Sequence, residues 1–394
     1  MKMLNEKIRG LVSWVLVILI CLLGYTYSKS LKPAYESNNE VLIRGVVLSV
    51  EDSGAPIPRF PSGKGDSSGQ NDGSNPGQFI KGEQHVKVKI TEGKFKDQVF
   101  ETTHVKTGNL AYDFDVFKGD KVILNLDVVD EKVEAVHVAH FDRQSTVNYV
   151  FYFFVAALVV VGGWRGFKSL VSLILTGVAV VKILIPAILA GKSPVVSAVI
   201  VAAGVTAVTF LLVSGVNRKS LAAIIGTVMG TVVASLMAGL TITQARLTEL
   251  ATEEGGMLLG MPQAGVIDFQ GLLLAGIIVG ALGAMMDVAI SVSSSVYEFK
   301  TLNPELGVWQ LMRSGLNVGR DIIGTMANTL ILANAGGSLS LILIIMGYQI
   351  PFIKIVNLDL FTNEIVRSLA GSIGLFFAIP FTALVSSFLF ASKK

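Results

Sequence analysis

This sequence predicts a polytopic α-helical membrane protein of about eight transmembrane helices with an inserted extracytoplasmic small β-barrel-like domain. Three observations predict it. Of the 394 residues, 52% are hydrophobic and only 15% charged, whereas soluble domains carry roughly 25% charge. The deficit is uneven, because residues 30–146 read as ordinary soluble sequence and residues 147–394 as lipid-facing sequence. Apolar runs near the ~20 residues that span hydrocarbon recur through that second part. The mean hydropathy of +0.63 agrees.

The first element is an anchor over residues 1–28. Lys2, Lys7 and Arg9 precede the apolar run Leu11–Tyr25, the layout of a signal peptide or an uncleaved signal anchor. Ser28–Ser30 is a poor cleavage site because Lys29 interrupts its small residues, so an uncleaved anchor is expected. The single cysteine, Cys21, lies inside this run. It excludes an internal disulfide framework and a cysteine-based metal site. Ile20 before it is too large for a lipoprotein box.

Residues 40–145 form the second element, a β-domain. Hydrophobic and polar residues alternate with the period of strands over Val41–Val50, His85–Thr91, Val99–Val105, Lys121–Val129 and Val133–His140. Phe117-Lys118-Gly119-Asp120 signals a turn before the fourth strand. Five short strands suit a small closed barrel, similar in topology to an oligonucleotide-binding fold, which implies no particular ligand. Residues 53–82, rich in Gly, Ser, Asp and Pro, are expected to be disordered. All four histidines, His85, His104, His137 and His140, fall in this domain. Residues three apart point to opposite strand faces, so His137 and His140 make a poor metal pair and no metal is expected.

A seven-helix bundle over 147–394 completes the chain, with apolar segments near 147–163, 169–190, 194–216, 220–243, 268–292, 322–347 and 367–390. The segment 169–190 holds Lys182 and Pro186, and part of it could be re-entrant. Orientation follows the short-loop cations. An inside N-terminus leaves Lys2, Lys7, Arg9, Arg165, Lys168, Arg218, Lys219, Lys300, Arg313, Arg320, Lys393 and Lys394 in the cytoplasm, against Lys192, Arg246, Lys354 and Arg367 outside. That asymmetry places both termini in the cytoplasm and the β-domain outside. The basic residues sit at helix ends and form no nucleic-acid patch, so the expected surroundings are a lipid bilayer and no nucleic acid. The glycine spacings Gly226/Gly230 and Gly276/Gly280 allow close helix approach or ordinary packing. The loop 244–267 reads as a solvated amphipathic linker.

Candidate functional residues concentrate in the last 130 or so positions. Asp287, Ser291, Ser294 (or Ser295) and Glu298 recur every three or four residues and share one helix face. Asp287 follows the sixteen uncharged residues Gly271–Met286, which puts it inside the cytoplasmic half of the membrane. A lone carboxylate is costly there, so it marks a site, or else it pairs with Lys182 or Arg320. Asp321, Thr325 and Asn328 line a second face. Asp321 could instead cap a helix N-terminus, but an unsatisfied Asn328 amide in hydrocarbon costs several kcal/mol. Asn334-Ala-Gly-Gly-Ser338 falls near the middle of its expected span. It reads either as a helix interruption, as in transporter binding sites, or as a tight small-residue crossing.

At these residues the sequence resembles the YibE/F-like family of bacterial multi-span membrane proteins. Gly280-Ala-Leu-Gly-Ala-Met-Met-Asp287-Val-Ala-Ile-Ser291 and Gly319-Arg320-Asp321-Ile-Ile-Gly324-Thr325-Met-Ala-Asn328-Thr329 carry the likeness, with Gly371-Ser-Ile-Gly374 and Ile379-Pro380-Phe-Thr382. The resemblance implies the layout above and a bacterial plasma membrane, and it implies no substrate.

The expected function is a membrane transporter or channel for an ion or small polar solute. Asp287 would be its ion or proton site. Ser291, Ser294, Glu298, Thr325, Asn328 and Asn334 would line the path, and Arg320 with Asp321 would form a gate pair. No phosphate-binding P-loop, zinc-protease helix motif or nucleophile elbow is present, so ATP hydrolysis, enzymatic activity and a cofactor are not expected. The alternative is a non-transporting envelope scaffold or sensor whose outer β-domain binds a partner protein or cell-wall component. An intramembrane enzyme using Asp287 and Asp321 as paired carboxylates ranks last.

Overall fold

The structure, a computed structural model, describes residues 41–52, 82–106, 113–129 and 132–391, with parts of the stretch 12–26. The basic flank at Lys2, Lys7 and Arg9, the segment 28–30, the loop 53–81 and the terminal Lys393 and Lys394 lie outside the described residues. The chain divides into two compact units, one of Glu36–Ala156 and one of Ala157–Lys394 with Met1–Tyr35.

In the first unit the strands are β1 (Val41–Asp52), β2 (Gly82–Ile90), β3 (Val99–Lys106), β4 (Lys121–Val129) and β5 (Lys132–Phe141). Gly82, expected at the end of the disordered loop, instead opens β2. All pairs are antiparallel, in the order β3-β2-β1-β4-β5. The long β1 serves two neighbours: Val41–Val46 pairs with β4 and Gly45–Asp52 with β2. An irregularity between Val47 and Ser49 turns the strand from one to the other. The Thr102 hydroxyl of β3 donates to the Val136 carbonyl of β5, which nearly closes the sheet. Period-2 alternation decides the faces: Val86, Val88 and Ile90 are buried, and His85, Lys87 and Glu83 point out or to the rim. The expected turn is present, with Gly119 at φ 90° and the Phe117 amide donating to the Asp120 carboxylate at 2.8 Å.

The second unit is helical, and α1 (Val17–Thr26) is its first apolar helix. Val17 is 3% exposed and packs against Val208 and Leu212. α2 (Gln144–Ala179) runs through a π-helical turn, Val180–Leu184, into α3 (Ile185–Leu189). Pro186 cannot donate to residue 182, which accounts for the widened turn. The run 164–189 is helical throughout, so no re-entrant break occurs there. α2 itself breaks at Gly163 (φ 53°, ψ −137°). Gly166 lies against the Leu158 carbonyl, although eight residues of straight helix would separate them by about 12 Å. The chain therefore doubles back at Gly163.

The remaining helices are α4 (Pro194–Val213), α5 (Arg218–Ala245), α6 (Glu253–Leu258), α7 (Phe269–Leu302), α8 (Val308–Gly337), α9 (Leu339–Gly347), α10 (Phe352–Ile355) and α11 (Asp359–Ala391). Among the described residues five helical runs are long and apolar enough to cross a membrane, counting Gln144–Leu189 as one, and the bent pair α8–α9 makes a sixth. These runs mark a membrane protein. α5 and α11 pack closely, with Gly230 against Gly374 and Ala378 and Gly226 against Thr382. Gly276 and Gly280 face open space, with nothing within 4 Å of an added methyl. The segment 244–267 is tied down rather than a free linker: Asn363 donates to the Thr248 carbonyl at 2.9 Å, and Arg367 lies 3.6 Å from Glu249.

Candidate functional site

α7 and α8 carry the sequence-predicted residues. The Asp268 carboxylate caps α7 by accepting from the Gly271 amide at 2.9 Å. The two helices are joined by residues 303–307, a link short enough to make them antiparallel neighbours. Lys300 fixes that link by donating to the Pro304 and Leu306 carbonyls. Gln310 closes it by accepting from the Gly307 amide at 2.9 Å. Gly315 is where the helices touch: a methyl there would fall 2.6 Å from Val296 and 3.6 Å from Val292.

These contacts set depths. The Ser293 hydroxyl donates to the Lys219 carbonyl at 3.0 Å, so Ser293 and Gly315 share the level of the basic pair Arg218–Lys219. At 1.5 Å per residue, Asp287 on α7 and Asp321 on α8 both lie about 9 Å further into the apolar region, and Asn328 about 20 Å. Asp287 and Ser291 are exposed on the bundle's outer side, as are Asp321, Thr325 and Asn328. Ser294 is half-buried beside them. On α7 the residues that meet α8, Val292 and Val296, lie about 140° and 180° round the helix from Asp287, so the polar face of α7 and that of α8 are separate exposed faces.

The hydroxyls on these faces are partly satisfied by their own helices. Ser291 donates to the Asp287 carbonyl at 2.7 Å and Thr325 to the Ile322 carbonyl at 2.9 Å. The charges are not. Among the described residues, the side chains of Asp287, Arg320, Asp321 and Asn328 make no hydrogen bond or ion pair within the chain. The anticipated pairing of Asp287 with Lys182 or Arg320 is thus absent among them. So is an Arg320–Asp321 pair, since consecutive helix positions diverge by about 100°.

Three other expectations need correction, and they share a cause: α8 begins at Val308, fourteen residues before the expected 322. Asp321 is therefore mid-helix and caps nothing. Arg320, counted as a cytoplasmic loop cation, is inside the helix. Asn334 lies near the far end of α8 rather than mid-span, and its amide donates to Ser368 of α11 at 2.9 Å. The helix does break after Gly337, with a 67° bend into α9. Nothing lies within 4 Å of a methyl added at Gly336 or Gly337, so these glycines do not serve a tight crossing. Glu298 lies instead 3.5 Å from Lys219, whose ammonium also lies 3.9 Å from the Tyr297 ring.

Two hollows went unread in the sequence. One of about 330 Å³ lies between α2, α4 and α7, with Ser172 and Thr209 hydrogen-bonded across it at 2.7 Å. Its wall includes Gly283, one turn from Asp287. The Ser169, Ser172, Thr176 spacing was the signal for it. The other, an open cleft of about 980 Å³, lies at the basic end between Arg218, Lys219, Tyr297 and Lys300. In the β unit, the Nδ1 of His85 and the Thr103 hydroxyl are 3.1 Å apart, His104 meets the Phe114 carbonyl at 2.9 Å, and His137 lies 3.3 Å from Asp127.

A multi-span membrane protein with an appended β unit and polar residues exposed on two of its apolar helices is the class these features define. Residues 150–392 match the family model for YibE/F-like proteins, and residues 64–139 match that of the YibE/F family N-terminal domain. The chain belongs to the YibE/F-like family. No curated protein and no solved structure matches it.

Proposed function

We propose that the chain is a transporter or channel for an ion or small polar solute, with its path running past the polar residues of α7 and α8. One observation carries this reading: Asp287, Asp321 and Asn328 sit in helices long and apolar enough to cross a membrane, and their side chains have no partner among the described residues. Hydrocarbon tolerates none of them bare, at a cost of about 2.5–3.5 kcal/mol for a carboxylate on an insertion scale. Water and a passing solute would supply what the chain does not. Asp287 would hold the ion or proton, and Ser291, Ser294, Thr325 and Asn328 would offer hydrogen bonds. The driving force would be an ion gradient.

The accompanying topology has eight crossings: the anchor, the two arms on either side of Gly163, α4, α5, α7, the α8–α9 pair and α11. Arg165 and Lys168 beside the Gly163 reversal fit an inside turn. Both termini are then cytoplasmic, the β unit is extracytoplasmic, and the membrane is a bacterial plasma membrane.

The test is flux in vesicles reconstituted with the full chain, under imposed proton, Na⁺ and K⁺ gradients. Flux above empty vesicles that Asp287→Asn abolishes is the expected result. Equal flux through both proteins, or none of the three ions moving, overturns the cation path. The second reading, an envelope scaffold or sensor, draws support from the separate core of the β unit. It predicts that removing residues 41–141 destroys function while Asp287→Asn is harmless.

A further inference from the structure

α8 is polar along its outward side. Gln310, Arg313, Asn317, Arg320, Gly324 and Asn328 are exposed at spacings of three and four, while Leu311, Gly315 and Gly319 opposite them are buried. In one chain nothing described covers that face.

We propose that a second copy of this chain covers the face, so that two α8 helices pack side by side about a twofold axis along the membrane normal. The proposal rests on reading α8 as a membrane-spanning helix. Its geometry comes from the helix itself. At 100° per residue, Asn317, Gly324 and Asn328 lie on one line, with Arg320 about 60° to one side and Asp321 about 40° to the other. A twofold axis sets each flank of one helix against the opposite flank of its copy, at the same depth. Arg320 of one copy therefore meets Asp321 of the other, and the pairing occurs twice. Each charge that lacks a partner within the chain gains one from the copy. Gly324 leaves room for close approach, since nothing lies within 4 Å of a methyl added there. Asn317 and Asn328 stand at the axis, where their amides can bond to one another and fix the register.

Cysteine crosslinking in native membranes tests this. In a Cys21→Ser background, Gly324→Cys and Asn328→Cys are expected to form oxidised dimers, because disulfides need Cα atoms within about 7 Å. Leu236→Cys, exposed on α5, is not. Arg320→Asp or Asp321→Arg alone should remove most of the Asn328→Cys crosslink, and the double exchange should restore it. Native mass spectrometry of the unsubstituted protein, which relies on no variant folding, should find two chains. A single chain there, or crosslinking indifferent to the charge variants, overturns the proposal. Persistent flux in Asp287→Asn with the crosslinks intact removes the path and leaves the dimer standing.

Discussion

The two units place charge where charge is costly, and they do so in opposite directions. In the β unit, Lys106 and Asp115 are turned inward, their side chains 0% and 1% exposed and 2.6 Å apart. In the helical unit, Asp287, Arg320 and Asp321 are turned outward. Water surrounds a soluble domain, so a charge taken inside must bring its counter-ion with it. Around a membrane bundle the exterior is the apolar phase, and an outward charge is the one deprived of solvation. The inward charge of the β unit is met by a counter-charge of the same chain, whereas the outward charges of the bundle ask for something outside the single chain.

The largest effect that can break this contrast is in the β unit. Lys106→Met leaves the Asp115 carboxylate buried without its counter-ion, a change that costs about 3–5 kcal/mol. Replacing both, as Lys106→Met with Asp115→Leu, should recover most of the loss, because a buried pair contributes little beyond an apolar one. Pulse proteolysis of the full-length protein in urea, scored on the fragment holding residues 41–141, reads both. A mild single variant would mean that water reaches the pair.

A middle-sized effect separates the inner from the outer side of the bundle. Gly230→Leu drives a side chain into the Gly374 carbonyl, 2.7 Å from the first added carbon, and into Ala378. Overpacking of that kind costs about 1–3 kcal/mol or more. Gly280→Leu on α7 meets nothing within 4 Å and should leave the single chain folded. Thermal unfolding in detergent, followed by size-exclusion chromatography, compares them. The two glycine pairs have the same spacing in the sequence, so equal damage would mean that the α7 face is covered within one chain.

These cases show what the sequence could express. All five strands were readable because alternation is local: His85, Lys87 and Lys89 against Val86, Val88 and Ile90 needs no knowledge of partners. The α5 and α7 glycines were not separable, since only the opposing helix distinguishes Gly230 from Gly280. The start of α8 was missed because Arg313 and Arg320, following Lys300, read as the cations of a cytoplasmic loop. The buried positions Leu311, Gly315 and Gly319 already had helical spacing, but two of the three are glycines and carry no hydrophobic signal. That one error displaced Asp321 to a cap and Asn334 to mid-span. The faces of Asp287 and Asn328 were legible from spacing alone, whereas their lack of partners depends on every neighbouring helix. The Lys106–Asp115 pair joins β3 to the segment before β4, and nothing local announces it.

The smallest effect is the surface counterpart of that pair. Lys89 and Asp97 lie 2.7 Å apart with side chains 41% and 64% exposed. The hydrogen bond from Lys89, and then its charge, hold the Asp97 carboxyl below the usual carboxylate range. A group lowered in the folded state stabilises above its unfolded value and loses that contribution as pH falls through the folded one. At neutral pH the contribution is fully present, yet solvent and salt screen it because both partners are wet. Lys89→Gln should therefore leave the proteolysis midpoint at pH 7 unchanged within error. It should let Asp97 take up its proton at a higher pH during acid titration. The distance between partners is the same here, within 0.1 Å, as in the Lys106–Asp115 pair, so burial is the variable that differs. A large loss at pH 7 from Lys89→Gln would show that separation, rather than solvation, ranks these pairs, and the contrast between the two units would lose its physical basis.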